Sequence, residues 1–133
     1  MSPQSYPTMR ILGLLKAKLL TSGSPFWSAY LNLRGVQVGS RLIAIGRPGI
    51  NRKIGTTIRL GNRVTLCSSG VANPLAEGSR CRLATLAPKA ELILEDDVGM
   101  SSTVICCAVH IKIGAGTQIG GGCLIIDTDF HPR

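Results

Sequence analysis

Ile113-Gly114-Ala115-Gly116-Thr117-Gln118 runs directly into Ile119-Gly120-Gly121-Gly122-Cys123-Leu124, so an aliphatic-Gly-x-x-x-x unit repeats with a period of six. At 3.6 residues per turn a helix carries position i+6 off its starting face, and the period therefore specifies short extended segments separated by turns. The unit recurs upstream, where Ile54-Gly55-Thr56-Thr57-Ile58-Arg59 precedes Leu60-Gly61-Asn62-Arg63-Val64-Thr65 and then Leu66. A third series starts at Leu94, Met100 and Cys106, with Val98 and Val104 at the fifth places. Three in-register runs point to an all-β chain wound as a parallel β-solenoid.

In such a coil the first residue of each hexad points into a narrow prism and has to be aliphatic. The next has to be small because the chain is turning toward a corner, and glycine reaches conformations there that other residues resist. Three hexads make a coil of about eighteen residues, and coils stack at the interstrand spacing of roughly 4.8 Å. Ile54, Leu60, Leu66, Leu94, Met100, Ile113, Ile119 and Ile125 are the expected solvent-free inward positions, with Leu94, Met100 and Cys106 under Ile113, Ile119 and Ile125. The seven-residue step from Cys106 to Ile113 implies a one-residue insertion near His110 to Lys112.

The 133 residues have room for one domain, and the 4% aromatic content suits a thin aliphatic prism. Solenoid ends expose unpaired backbone and need caps. Met9 to Leu20 carries Ile11, Leu12, Leu14, Leu15, Leu19 and Leu20 among Arg10, Lys16 and Lys18, with Thr8 as N-cap and Thr21-Ser22-Gly23-Ser24-Pro25 as the stop. The pattern predicts a short helix that caps the coil, packed with Phe26, Trp27 and Tyr30; a basic helix lying on a membrane surface is the competing reading. It is too short to span a bilayer, and the lysines interrupt a signal-type apolar run. Between Ser68 and Glu91 the hexads stop, and Asn73-Pro74-Leu75-Ala76-Glu77-Gly78-Ser79-Arg80, with Arg82 and Lys89, reads as an excursion from the coil.

Charge is unevenly placed. Residues 1–89 hold thirteen Lys or Arg against a single acid, Glu77, whereas residues 90–133 hold two against six acids, within a formal net charge of +8. The basic part should attract anions, an acidic glycan or an anionic membrane surface among them. Nucleic acid is disfavoured, since no basic patch is interleaved with stacking aromatics. Cys67, Cys81, Cys106, Cys107 and Cys123 form no Cys-x-x-Cys pair and read as reduced thiols of the cytoplasm, with Cys106 inward. No zinc-ligand spacing appears, so no metal is expected. Gly114, Gly116 and Gly120 have the wrong spacing for a dinucleotide loop.

The hexads, together with Ile125-Ile126-Asp127-Thr128-Asp129-Phe130-His131-Pro132, resemble the left-handed β-helix, hexapeptide-repeat acyltransferases, closest to the maltose, galactoside and colanic-acid O-acetyltransferase branch. The resemblance implies a left-handed parallel β-helix over residues 36–133 behind an N-terminal helical cap over 1–35. The hand comes from the family, because ordinary parallel crossovers are right-handed. It further implies transfer of acetyl from acetyl-CoA to a saccharide hydroxyl in cell-surface polysaccharide biosynthesis, by a cytoplasmic homotrimer that can sit peripherally at the inner membrane face. His131 becomes the general base that takes the acceptor's proton, and Asp129, two residues away on the same side of an extended segment, its orienting partner, with Asp127 a second candidate. A γ-class carbonic anhydrase is excluded because it needs three histidines, and this chain has only His110 and His131. Family members carry further coils beyond the histidine that bind coenzyme A, so the resemblance places most of the donor site outside these 133 residues. A catalytically inactive solenoid serving as a scaffold is the alternative.

Overall fold

A computed structural model describes residues 24–68 and 80–128. The described residues open with helix α1 (Ser24–Leu33) and continue through twelve short strands, β1 (Gln37–Val38), β2 (Ile43–Ile45), β3 (Gly49–Asn51), β4 (Thr57–Leu60), β5 (Thr65–Cys67), β6 (Arg82–Thr85), β7 (Glu91–Leu94), β8 (Gly99–Ser101), β9 (Val104–Cys107), β10 (His110–Ile113), β11 (Gln118–Ile119) and β12 (Leu124–Ile126). They form three parallel faces, β1-β4-β7-β10, β2-β5-β8-β11 and β3-β6-β9-β12, each strand pairing with its counterpart one coil away. The described residues form a parallel β-solenoid of four coils. Among the described residues no helix is long and apolar enough to cross a membrane.

The inward side chains stack in columns, one aliphatic on the next. Val38, Leu60, Leu94 and Ile113 align on the first face, Ala44, Leu66, Met100 and Ile119 on the second, and Ile50, Leu83, Ile105 and Ile125 on the third. Members in the two middle coils are at most 2% exposed, whereas Ile113, Ile119 and Ile125 in the last coil are only half-buried, because nothing among the described residues covers them from above. Four-residue strands bury a second residue as well, so Ile58, Leu92 and Ile111 make a further column beside the first.

The hexad frame holds for Leu60, Leu66, Leu94 and Met100 and fails where corners vary in length. Ile54 is 91% exposed, not inward. The step from Ile50 to Ile58 is eight residues, and the two extra residues bulge at the corner and carry Ile54 outward. Ile125 lies on Ile105 and not on Cys106, which pairs with Ile126. The step from Met100 to Ile105 is five residues, so Thr103, fully buried, takes the corner place expected for Val104. The expected insertion near His110 to Lys112 is absent, since β10 pairs with β7 without interruption. The irregularity sits instead around Ser102, whose φ is 45°.

Polar side chains tie the corners together. Asn62 Oδ1 accepts from Ser40 N at 2.9 Å, and Asp96 Oδ1 accepts from Asn62 N at 2.7 Å, each side chain holding the amide of the coil below. Gly61 is required there, because a Cβ would lie 2.7 Å from Asp96 N. At another corner Thr85 Oγ1 accepts from Lys53 N at 2.9 Å and meets Thr56 Oγ1 at 2.6 Å.

Helix α1 closes the first coil. Ser24 begins it rather than ending an earlier one, with Pro25 in the first turn, where the missing N–H costs nothing. Ser24 Oγ accepts from Ala44 N at 2.9 Å, Leu31 is fully buried, and Trp27 and Tyr30 pack on the core while Phe26 stays 65% exposed. The helix expected over Met9 to Leu20 lies outside the described residues. The excursion after Ser68 is shorter than expected: Arg82 belongs to β6 on the third face, and Lys89 to the β6–β7 corner.

Candidate functional site

Asp129 and His131, the residues on which the sequence rests the chemistry, lie outside the described residues. The chain is followed up to the corner that precedes them. There Asp127 occupies the place above Cys107 and Thr85 in the coil stack, and it repeats two coils higher what Thr85 does for Lys53. One carboxylate oxygen accepts from Ala108 N at 2.5 Å; the other accepts from Val109 N and His110 N, each at 2.8 Å. Burial raises the pKa of this carboxyl, and the three backbone N–H donors outweigh that and hold it below the ordinary aspartate value.

With both oxygens engaged by backbone N–H groups, Asp127 acts as a corner cap. These bonds pin Asp127 onto the Ala108–His110 corner of the coil below. Beside it, Cys107 points inward and its thiol pKa is raised, first by burial and then by the Asp127 charge, so it is a poor nucleophile. Cys106, expected inward, is half-buried on the outer side of the third face. His110, read from sequence as a surface or corner residue, starts β10 with its Nδ1 3.7 Å from Glu91 Oε2, both side chains about half exposed. Among the described residues no three His, Cys, Asp or Glu side chains converge as metal ligands.

A second constellation was not singled out by the sequence beyond the charge count. On the outer surface of the third face, a groove of about 420 Å³ runs between α1 and strands β3, β6 and β9. Arg34, Arg47, Arg80 and Arg82 all line it. The Arg34 and Arg47 guanidiniums lie 6.0 and 5.9 Å from the centre of the Tyr30 ring. A hydrogen bond from Arg47 holds the Tyr30 hydroxyl below its ordinary pKa against the opposing effect of burial, and the charges of Arg47, Arg34 and Arg80 act in the same direction. These arginines come from the turn after α1, a corner, the return of the excursion and a strand, so only the stacking of coils brings them together.

The chain matches no protein-family model, no curated protein and no solved structure.

Proposed function

We propose that the chain is the catalytic coil of a left-handed β-helix O-acetyltransferase that moves an acetyl group from coenzyme A to a saccharide hydroxyl, acting as a homotrimer. The observation that carries this reading is the corner itself: a hexad-built parallel solenoid in which Asp127, four residues before His131, is pinned to the Ala108–His110 corner of the coil below. A hydroxyl is a weak nucleophile at neutral pH, and an imidazole near its ordinary pKa takes its proton as attack on the thioester carbonyl begins. The carbonyl–sulfur bond breaks, coenzyme A leaves as the thiol or thiolate, and the acetyl ester forms on the sugar oxygen. A turn fixed by three hydrogen bonds to a rigid coil gives such a base a defined starting position.

The test is acetyl transfer from acetyl-CoA to a panel of saccharides by the full gene product. His131→Ala is expected to lower kcat by roughly 10²- to 10⁴-fold with coenzyme A affinity nearly unchanged, and Asp129→Asn to cost less. Turnover that is indifferent to His131, or absent from the parent protein across the panel, removes the catalytic reading and leaves the solenoid as a scaffold.

A further inference from the structure

The outer surface of the third face has two chemically distinct ends. In the first two coils it carries the four arginines, and among the described residues none of them pairs with a carboxylate; the ion pairs lie elsewhere, at Arg63–Asp97, His110–Glu91 and Lys112–Glu95. Gly49 pairs with Arg82, and a Cβ at Gly49 would lie 3.0 Å from Arg82 Cγ, so the glycine makes space for the Arg82 stem to lie across the sheet. Further up, the outward positions turn apolar. Val104 and Cys106 of β9 pair with Leu124 and Ile126 of β12, and Leu124 is 63% exposed. Four strands at roughly 4.8 Å spacing make this trough about 14 Å long.

Clustered guanidiniums without carboxylates raise the local positive potential at a cost that a bound anion relieves, and their planar forks match phosphate oxygens two at a time. The apolar end calls for hydrocarbon rather than a second charge. We propose that the groove binds a phosphorylated amphiphile, with its phosphate among Arg34, Arg47, Arg80 and Arg82 and its alkyl or isoprenoid portion along Val104, Cys106 and Leu124. Such a ligand is equally the head and tail of a lipid-linked phosphate or of a membrane phospholipid, and the site does not depend on the acetyl-transfer reading.

Titration calorimetry with three soluble probes tests this: n-octyl phosphate, inorganic phosphate and the neutral n-octyl glucoside. Octyl phosphate is expected to bind at least tenfold more tightly than either of the others, and to weaken as salt rises. The double variant Arg47→Gln, Arg82→Gln should lose at least tenfold for octyl phosphate while keeping the parent's β-type circular dichroism. A readout on the unaltered protein guards against a variant that fails to fold: octyl phosphate should protect Cys106 from iodoacetamide and leave Cys123 reactive. Equal binding of octyl glucoside, equal binding of inorganic phosphate, or no protection of Cys106 overturns the proposal. Anionic phosphatidylglycerol vesicles separate the two ligand sources. Vesicle binding that disappears in the double variant assigns a membrane phospholipid, and octyl phosphate binding without vesicle binding assigns a soluble or carrier-bound lipid phosphate. Vesicle binding that survives the double variant, without octyl phosphate binding, reduces the groove to general surface attraction.

Discussion

Replacing Asp127 with Asn removes one charge and one acceptor from a corner that uses both. With its amide oxygen toward Val109 N and His110 N, the asparagine turns its NH2 toward Ala108 N, donor against donor. One hydrogen bond is lost and two become neutral. Charge-assisted bonds contribute about 1.5–3 kcal/mol and neutral ones about 0.5–1.5, and water reaches the exposed Val109 and His110 amides, so a net loss of about 1–2 kcal/mol is expected. For a domain of this size that corresponds to a fall in Tm of roughly 4–7 °C by calorimetry. Hydrogen exchange should quicken first at Ala108, Val109 and His110. The pH dependence adds an independent check. Because the folded carboxyl sits below its unfolded value of about 3.9, its stabilisation is fully present above about pH 5 and disappears as pH falls through 4 and past the folded pKa. Asp127→Asn should lack that acid limb. If the variant melts within a degree of the parent and their acid-unfolding curves coincide, the carboxylate does not hold the corner.

Burial predicts a hierarchy of charge insertions: Leu66→Asp should abolish cooperative melting, Ile119→Asp in the half-open last coil should lower Tm but leave β-type circular dichroism, and Ile54→Asp should change neither. Thr85→Val removes the acceptor of Lys53 N and should cost about 1–3 kcal/mol in denaturant titration, with Thr85→Ser recovering most of it. Timed alkylation followed by mass spectrometry should label exposed Cys123 well before fully buried Cys81, whose thiol pKa is raised chiefly by burial; simultaneous labelling would mean that the coil opens on the assay's timescale.

Leu60, Leu66, Leu94 and Met100 are legible in the sequence because strands pair in strict register and a period of six survives wherever corners have equal length. Ile54 and Cys106 mislead for the converse reason. A corner that gains or loses a residue leaves the strands in place and shifts only the numbering, which a fixed frame cannot detect. Helix α1 is obscured because Ser24-Pro25 signals a helix start and a helix stop alike, and its buried stripe is built from Leu31, Trp27 and Tyr30 rather than an aliphatic run. The Asp127 cap is unreadable without knowing that residue 127 stacks above 107. Arg34, Arg47, Arg80 and Arg82 appear in the sequence only as surplus charge, since no local spacing records that two coils and the end of a helix bring them to one groove.

Height along this molecule is counted in strands, not residues. Twenty-two residues separate Val38 from Leu60, thirty-four separate Leu60 from Leu94 and nineteen separate Leu94 from Ile113, yet each pair is one coil apart. Corners thus act as ports where sequence can be added without moving anything above or below, and lengthening a closed loop is cheap, about 0.6 kcal/mol per doubling. The junction where Ser68 Oγ accepts from Cys81 N at 3.0 Å already uses that freedom, its two strands held in register by the coils on either side. Foreign peptide inserted there should be carried as passive cargo. Deletion of Ile93 within β7 would instead set Leu92 and Leu94 side by side and turn one of them toward water, because along a strand every step reverses the face.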